Sequence, residues 1–415
     1  MESQALVQND AVVLGILALM IGFVFYTEAS PHPFWKKFYK YVPGILLCYV
    51  LPSLLNSFGI VDPAKSQINP VASRYLLPAT LVLLTISVDF KGIMGLGYKA
   101  VLLFLTGTVG VVFGGPLAFF IVGSVSPETV GGVGADAVWR GLSTLSGSWI
   151  GGAANQMALK EVFQPSDRIF SQVVAVDIMV QSVWMALLLY LAGESKVIDA
   201  KTGADTRALD ELRKRVEAFH DQHARYLTTR DVVFIIAIGF GVTGISHGLG
   251  GWIAVWIEQH APGLARLSLT SPFFWLVCIA TAIGIGLSFT PVKRLEGAGA
   301  SRIGTGMLYI LVASIGMGMD LSAMVKNPGL FAVGFVWMAF HATLMFTVAK
   351  LVRAPVFYMC VGSQANIGGA ATAPVVASAF HPSLAPAGVL LAVLGYAIGT
   401  YGGWLSGLMM QALAN

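Results

Sequence analysis

Two stretches of this chain put amides, hydroxyls and paired glycines inside otherwise apolar runs. The first is Ser146-Gly147-Ser148-Trp149-Ile150-Gly151-Gly152-Ala153-Ala154-Asn155-Gln156. The second is Ser363-Gln364-Ala365-Asn366-Ile367-Gly368-Gly369-Ala370-Ala371-Thr372. Glycine costs about 1 kcal/mol relative to alanine inside a helix, so Gly151–Gly152 and Gly368–Gly369 are expected helix breaks. Unwound backbone at membrane depth is tolerated only where protein buries it or a cavity is lined by it. The half-helices then offer N-terminal amides and C-terminal carbonyls to a ligand. Ser146, Ser148, Asn155, Gln156, Ser363, Gln364, Asn366 and Thr372 are the side chains expected to bind solute there. The competing reading of either glycine pair is a small-residue surface that lets helices pack closely.

Asp177, in the apolar run after the first stretch, is the second chemical feature. A carboxylate near mid-membrane costs about 3 kcal/mol or more, which makes it a functional candidate. Gln181 lies four residues on and shares its helix face. The pair suits coordination of a coupling cation, sodium included, or a proton relay; otherwise Asp177 partners a helix terminus or Arg140. The corresponding run of the second half has no acid and offers Thr400 and Tyr401 among glycines, as oxygen donors or as part of a close helix crossing. His341 reads first as a hydrogen-bonded packing residue and second as a proton carrier. Asp89 and Asp320 close apolar helices, where interfacial solvation accounts for them.

The elements that hold these groups are membrane helices. Of 415 residues, 56% are hydrophobic and 11% charged, against about 25% charged in soluble chains, so a water-facing enzyme is excluded. Runs of about 20 apolar residues mark spanning helices. They fall at 11–27, 42–60, 74–90, 99–123, 139–162, 169–192, 231–247, 273–290, 303–319, 329–351, 355–379 and 386–412, which predicts 12 or 13 crossings. The expected fold is an all-α integral membrane protein. Met1 to Asp10 carries only acidic charge, so the first run is expected to be a retained span and not a cleaved signal. Cys48, Cys278 and Cys360 sit in apolar runs as free thiols. No metal-ligand spacing, nucleophile elbow or phosphate loop is present, and no enzyme activity, cofactor or nucleic-acid partner is expected.

The chain divides into a first repeat (1–192, broken helix near 139–162), a charged linker (193–230) and a second repeat (231–415, broken helix near 355–379). In the linker Leu209, Leu212, Val216 and Phe219 recur at helical spacing, which predicts an amphipathic surface helix. Basic residues follow spans 11–27, 74–90 and 139–162 in the first half; in the second they precede span 303–319 and follow span 329–351. Equivalent helices thus carry positive charge at opposite ends, the mark of inverted repeats. Six spans per half would instead make the repeats parallel. A short crossing at 250–259, or one span that does not cross, would reconcile the two.

The two Ile-Gly-Gly-Ala-Ala segments and the closing Gly395-Tyr396-Ala397-Ile398-Gly399-Thr400-Tyr401 stretch resemble the YjcL-like bacterial membrane proteins over nearly the whole chain. More distantly, that family is similar to the superfamily of sodium/proton antiporters, bile-acid sodium symporters and sodium/glutamate symporters. The resemblance implies a panel domain, a core domain with two discontinuous helices meeting near the midplane, and an elevator or rocking motion. It also implies that Asp177 occupies the helix where antiporters of the superfamily hold their ion-binding acids. Those relying on paired aspartates have two adjacent ones; Val176-Asp177 stands here instead.

The expected function is a secondary active transporter in the inner (cell) membrane. It moves a small polar or anionic organic solute, such as an amino acid, carboxylate or small peptide, coupled to sodium or protons. The alternative is a monovalent cation/proton antiporter. Expected partners are the solute, the coupling cation, the lipid bilayer and a second copy in a homodimer.

Overall fold

The structure is a computed structural model that describes residues 6–39, 42, 44–204, 227–267, 269–319, 327–381 and 384–414. Asp320 and the amphipathic linker positions 209–219 lie outside the described residues. Among the described residues all extended regular structure is helical. The main rods are α1 (Asp10–Glu28), α2 (Gly44–Ser57), α3 (68–85, with a π turn at Ala72–Leu76) and α4 (Tyr98–Val125). There follow α5 (Val138–Phe163), α6 (Asp167–Gly193), α7 (Thr229–His260), α8 (Pro272–Ser288) and α9 (Ala300–Gly316). The last are α10 (Gly329–Leu351), α11 (Val356–Ile367), α12 (Gly369–Phe380) and α13 (Ala385–Ala414). Six of these are long and apolar enough to cross a membrane, or up to eight elements if bent pairs count as one span. The chain is an all-α integral membrane protein.

Local sequence fixes where several rods start. Asn9 accepts from the amides of Ala11 and Val12, Ser166 from Ile169 and Ser271 from Phe274, each satisfying donors that a first helical turn leaves open. Thr228 and Asp231 form a reciprocal capping box at α7.

Helix directions follow from contacts. Along α4 and α10, Lys99 Nζ donates to Arg353 O (3.0 Å), His341 meets Gly107 O (3.1 Å), Trp337 Nε1 donates to Val111 O (2.9 Å) and Asn327 donates to Thr129 O (3.2 Å). One number rises as the other falls, so these equivalent helices of the two halves are antiparallel. The same holds for α3 and α9, where Thr80 donates to Gly304 O (3.1 Å) and Ser314 to Asn69 (3.5 Å).

Both glycine-paired segments turn back on themselves. In a straight helix Trp139 and Phe163 would stand about 36 Å apart. Their rings instead meet edge-on at 5.6 Å, and the Arg140 guanidinium donates to Phe163 O. The reversal is at Gly152 (φ 75°, ψ −169°). Likewise Phe357 at the start of α11 meets Phe380 at the end of α12 at 5.3 Å, and the reversal is at Gly369 (φ 59°). Thus α5 is one re-entrant helical hairpin (hairpin 1) and α11–α12 another (hairpin 2). The runs 139–162 and 355–379 are discontinuous but do not cross. The apolar stretch at 250–259 is the end of α7, not an extra crossing. Among the described residues each half therefore contributes five main rods and one hairpin, and the equivalent rods α4 and α10, like α3 and α9, run in opposite directions.

The rods sort into two bundles. α1, α2, α3, α7, α8 and α9 pack chiefly on one another; α4, hairpin 1, α6, α10, hairpin 2 and α13 form the other group. The second is the core that holds both hairpins, and the first is the panel.

Candidate functional site

The hairpin tips meet. A Cβ placed on Gly369 would lie 3.7 Å from Gly152 Cα, and both glycines hold left-handed φ values that other residues resist. Each tip brings together the C-terminus of an entering arm and the N-terminus of a returning arm, so unpaired carbonyls and amides gather at one depth.

Asp177 on α6 is only 6% exposed and faces hairpin 1. It accepts from Ser148 Oγ (2.6 Å) and Trp149 Nε1 (2.8 Å) on the entering arm, and from Gln156 Nε2 (3.3 Å) on the returning arm. The carboxylate is thus met by hydrogen-bond donors and clamps the two arms together. Arg140 is not its partner; it sits at the open end of the hairpin. One turn along α6, Gln181 approaches the other tip, with its Nε2 2.9 Å from where a Cβ on Gly368 would stand. One face of α6 therefore touches both hairpins.

Hairpin 1 rests on α13 through glycine. Cβ atoms at Gly395, Gly399 and Gly403 would fall 2.3 Å from Ile150 O, 2.8 Å from the Asn155 amide and 3.0 Å from Gly147 N. This four-residue glycine stripe is what lets backbone meet backbone. Asn155 is satisfied in the amide orientation that donates to Gly151 O (2.8 Å) and accepts from Thr400 Oγ1 (2.9 Å) and N (2.8 Å). Thr400 thus anchors the hairpin-1 tip.

In hairpin 2, Ser363 Oγ lies 2.9 Å from Trp184 Nε1 and 2.8 Å from His341 Nε2. Both ring nitrogens of His341 are engaged, the other on Gly107 O. Asn366 donates to Phe104 O (2.8 Å) and Gly362 O (3.0 Å) and accepts from Thr108 (2.8 Å), pinning hairpin 2 to α4. Gln364 donates to Thr372 Oγ1 (2.7 Å) across the hairpin, while its buried Oε1 has no hydrogen-bond partner.

The sequence-derived candidates divide accordingly. Ser148, Gln156, Asp177 and Gln181, Asn155 with Thr400, and Gln364 with Thr372 all lie at or beside the joined tips. Ser146 only donates back to Leu142 O (3.3 Å) within its own arm. Tyr401 lies apart, donating to Cys278 O on α8 (3.0 Å), because one residue beyond Thr400 the helix face turns toward the panel. Asp89 accepts from Lys293 Nζ (2.6 Å) at the helix ends. Trp149 and Trp184 were not among the candidates; Trp184 follows Asp177 by seven residues, two turns on the same face, which is the signal that could have marked it.

A family model described as "protein of unknown function (DUF819)" matches residues 15–413. The chain belongs to this family. It is also similar to the uncharacterized membrane protein YjcL of Bacillus subtilis (strain 168), 24% identical over 384 residues, which cover 89% of this chain and 90% of the relative. The family match takes in both hairpins and Asp177, so the joined tips lie within the region the family shares.

Proposed function

We propose that the protein is a secondary active transporter of a small polar or anionic organic solute, driven by sodium or protons, in the cell membrane. The observation that carries this is the meeting of two re-entrant hairpins, tip to tip, against a helix that bears Asp177 and Gln181. Interrupted helices at matching places in two halves are the usual seat of a transport site. The returning arms of both hairpins aim their N-terminal amides at the junction, which favours a negative group on the solute. Asp177 links coupling to shape: a cation or proton taken there competes with the hydrogen bonds from Ser148, Trp149 and Gln156 for the same two oxygens, and so changes the clamp between the two arms. Ion loading and solute access then bias the same element.

Charge gives the orientation within this proposal. Lys36, Lys37, Lys293, Arg294, Lys350 and Arg353 lie at the end that also carries the linker. The end of the chain termini carries fewer, among them Lys65, Arg140, Lys160 and Arg168. The positive-inside rule puts the linker end in the cytoplasm.

The test is uptake into proteoliposomes of labelled amino acids, carboxylates and short peptides under an inward sodium or proton gradient. Gradient-dependent accumulation of one of these classes is expected. Sodium-for-proton exchange with no organic solute would replace this reading with the antiporter; no ion or solute flux would end both.

A further inference from the structure

A cleft of about 600 Å³ runs between α1 and α9 of the panel. Its walls include Ala18, Gly22 and Phe25 of α1 and Arg302, Gly306 and Tyr309 of α9. A Cβ on Gly22 or on Gly306 would meet nothing within 4 Å, so glycine leaves open space there instead of a tight contact. The walls are mostly apolar; their polar groups, Ser301, Arg302 and Thr305, stand in the first two turns of α9, toward the linker end.

That end carries a second basic and aromatic feature. The short helix Pro33–Tyr39 reads Pro-Phe-Trp-Lys-Lys-Phe-Tyr and buries none of its residues. It is tied to α1 by the Tyr39 hydroxyl on Thr27 Oγ1 (2.6 Å) and by Trp35 edge-on to Phe23 (5.9 Å). Aromatic rings with flanking lysines suit the headgroup layer. Glu296 accepts from Ser301 N (3.0 Å) and Ser301 Oγ (2.6 Å), and Arg302 lies close enough to act on its charge without forming an ion pair within 4 Å.

We propose that the cleft between α1 and α9 holds an acyl chain of an anionic phospholipid of the cytoplasmic leaflet, with its phosphate on Arg302 and with Lys36 and Lys37 on the other flank of α1. Length, polarity and charge order agree: apolar walls end at a cation on the side where anionic lipid is enriched, and basic pockets between helices on that side take such headgroups. The occupied cleft touches the panel next to the core. Tyr309 meets Phe25 at 4.7 Å and belongs to the same apolar cluster as Ala153 and Ile178 beside the hairpin-1 tip. This inference uses the charge-derived orientation but not the transport reading.

The test is native mass spectrometry of the purified full chain after exchange into micelles with equal phosphatidylglycerol and phosphatidylcholine. Wild type should retain phosphatidylglycerol preferentially. Arg302→Gln should cut that preference about fivefold, the worth of one cation near the surface. Gly306→Leu should remove both bound lipids by filling the cleft. Melting temperatures within the error of wild type show that the variants are folded, and Lys350→Gln, away from the cleft, should change nothing. Equal retention of both lipids by wild type, or unchanged retention in Arg302→Gln and Gly306→Leu, would overturn the proposal. So would a dimer that Gly306→Leu dissociates, since a second copy would then fill the cleft.

Discussion

At the scale of single residues, Asp177 does two kinds of work. Three donors converge on it, so removing it should destabilise the fold as well as the mechanism. Asp177→Ala leaves the donors of Ser148, Trp149 and Gln156 unanswered, at about 1–3 kcal/mol for each one that finds no water; a clear fall in melting temperature is expected. Asp177→Asn keeps an acceptor oxygen and most of the volume. It should retain folding, as judged by gel filtration and melting, yet abolish gradient-driven uptake. Wild-type uptake by Asp177→Asn would remove the acid from coupling. The tip glycines make a separate prediction. Gly152→Ala meets only a ring carbon 3.9 Å away, so its cost is the backbone alone, whose φ 75° and ψ −169° are essentially a glycine conformation, at about 1–3 kcal/mol. Gly395→Leu drives a side chain into Ile150 O and should prevent expression of folded protein altogether. Residue types in the two polar stretches marked most of this site from sequence. Tyr401 points to α8 and not to the tips because adjacent residues on a helix face 100° apart, and the Trp149 and Trp184 partners are not legible in sequence because a tryptophan in an apolar run is ordinarily packing.

At the scale of elements, the decisive event is reversal. A glycine pair announces that a helix stops, but the same φ above zero serves a break in a spanning rod and a turn back to the side of entry. A stretch of 24 residues, as at 139–162, fits one crossing or two arms equally well. Only contacts across the arms, such as Trp139 with Phe163, separate the two, and these are tertiary. The open end of hairpin 2 shows how an element is held from outside. Asp199, on the short helix Ser195–Thr202 after α6, accepts from Val356 N (2.9 Å) at the first turn of α11. Burial raises its carboxyl above the ordinary range, while the amide it holds pulls the other way. The start of the linker is thereby fastened to hairpin 2. Asp199→Ala should lower the melting temperature by an amount equivalent to about 1–3 kcal/mol, and Asp199→Asn, which keeps an oxygen for the amide, by much less. Equal effects of the two substitutions would mean that Asp199 supports the linker by packing and not by capping.

At the scale of the whole molecule, helix direction carries more information than the number of apolar runs. Lysines and arginines at opposite ends of equivalent helices call for opposite helix directions, and α4 against α10 and α3 against α9 have them. The panel and core were legible only through resemblance, since nothing in periodicity says which rods share a bundle. The most direct measurement is the sidedness of both ends of each hairpin. Single cysteines at Glu128, Gln164, Leu351 and His381, in a background lacking Cys48, Cys278 and Cys360, would be labelled in intact cells with a membrane-impermeant maleimide. Re-entrant hairpins predict labelling of Glu128→Cys and Gln164→Cys from outside, and of Leu351→Cys and His381→Cys only after the membrane is opened. If Gln164→Cys or His381→Cys instead reacts from the side opposite its partner, the glycine segments cross the bilayer, and the joined-tip site cannot stand.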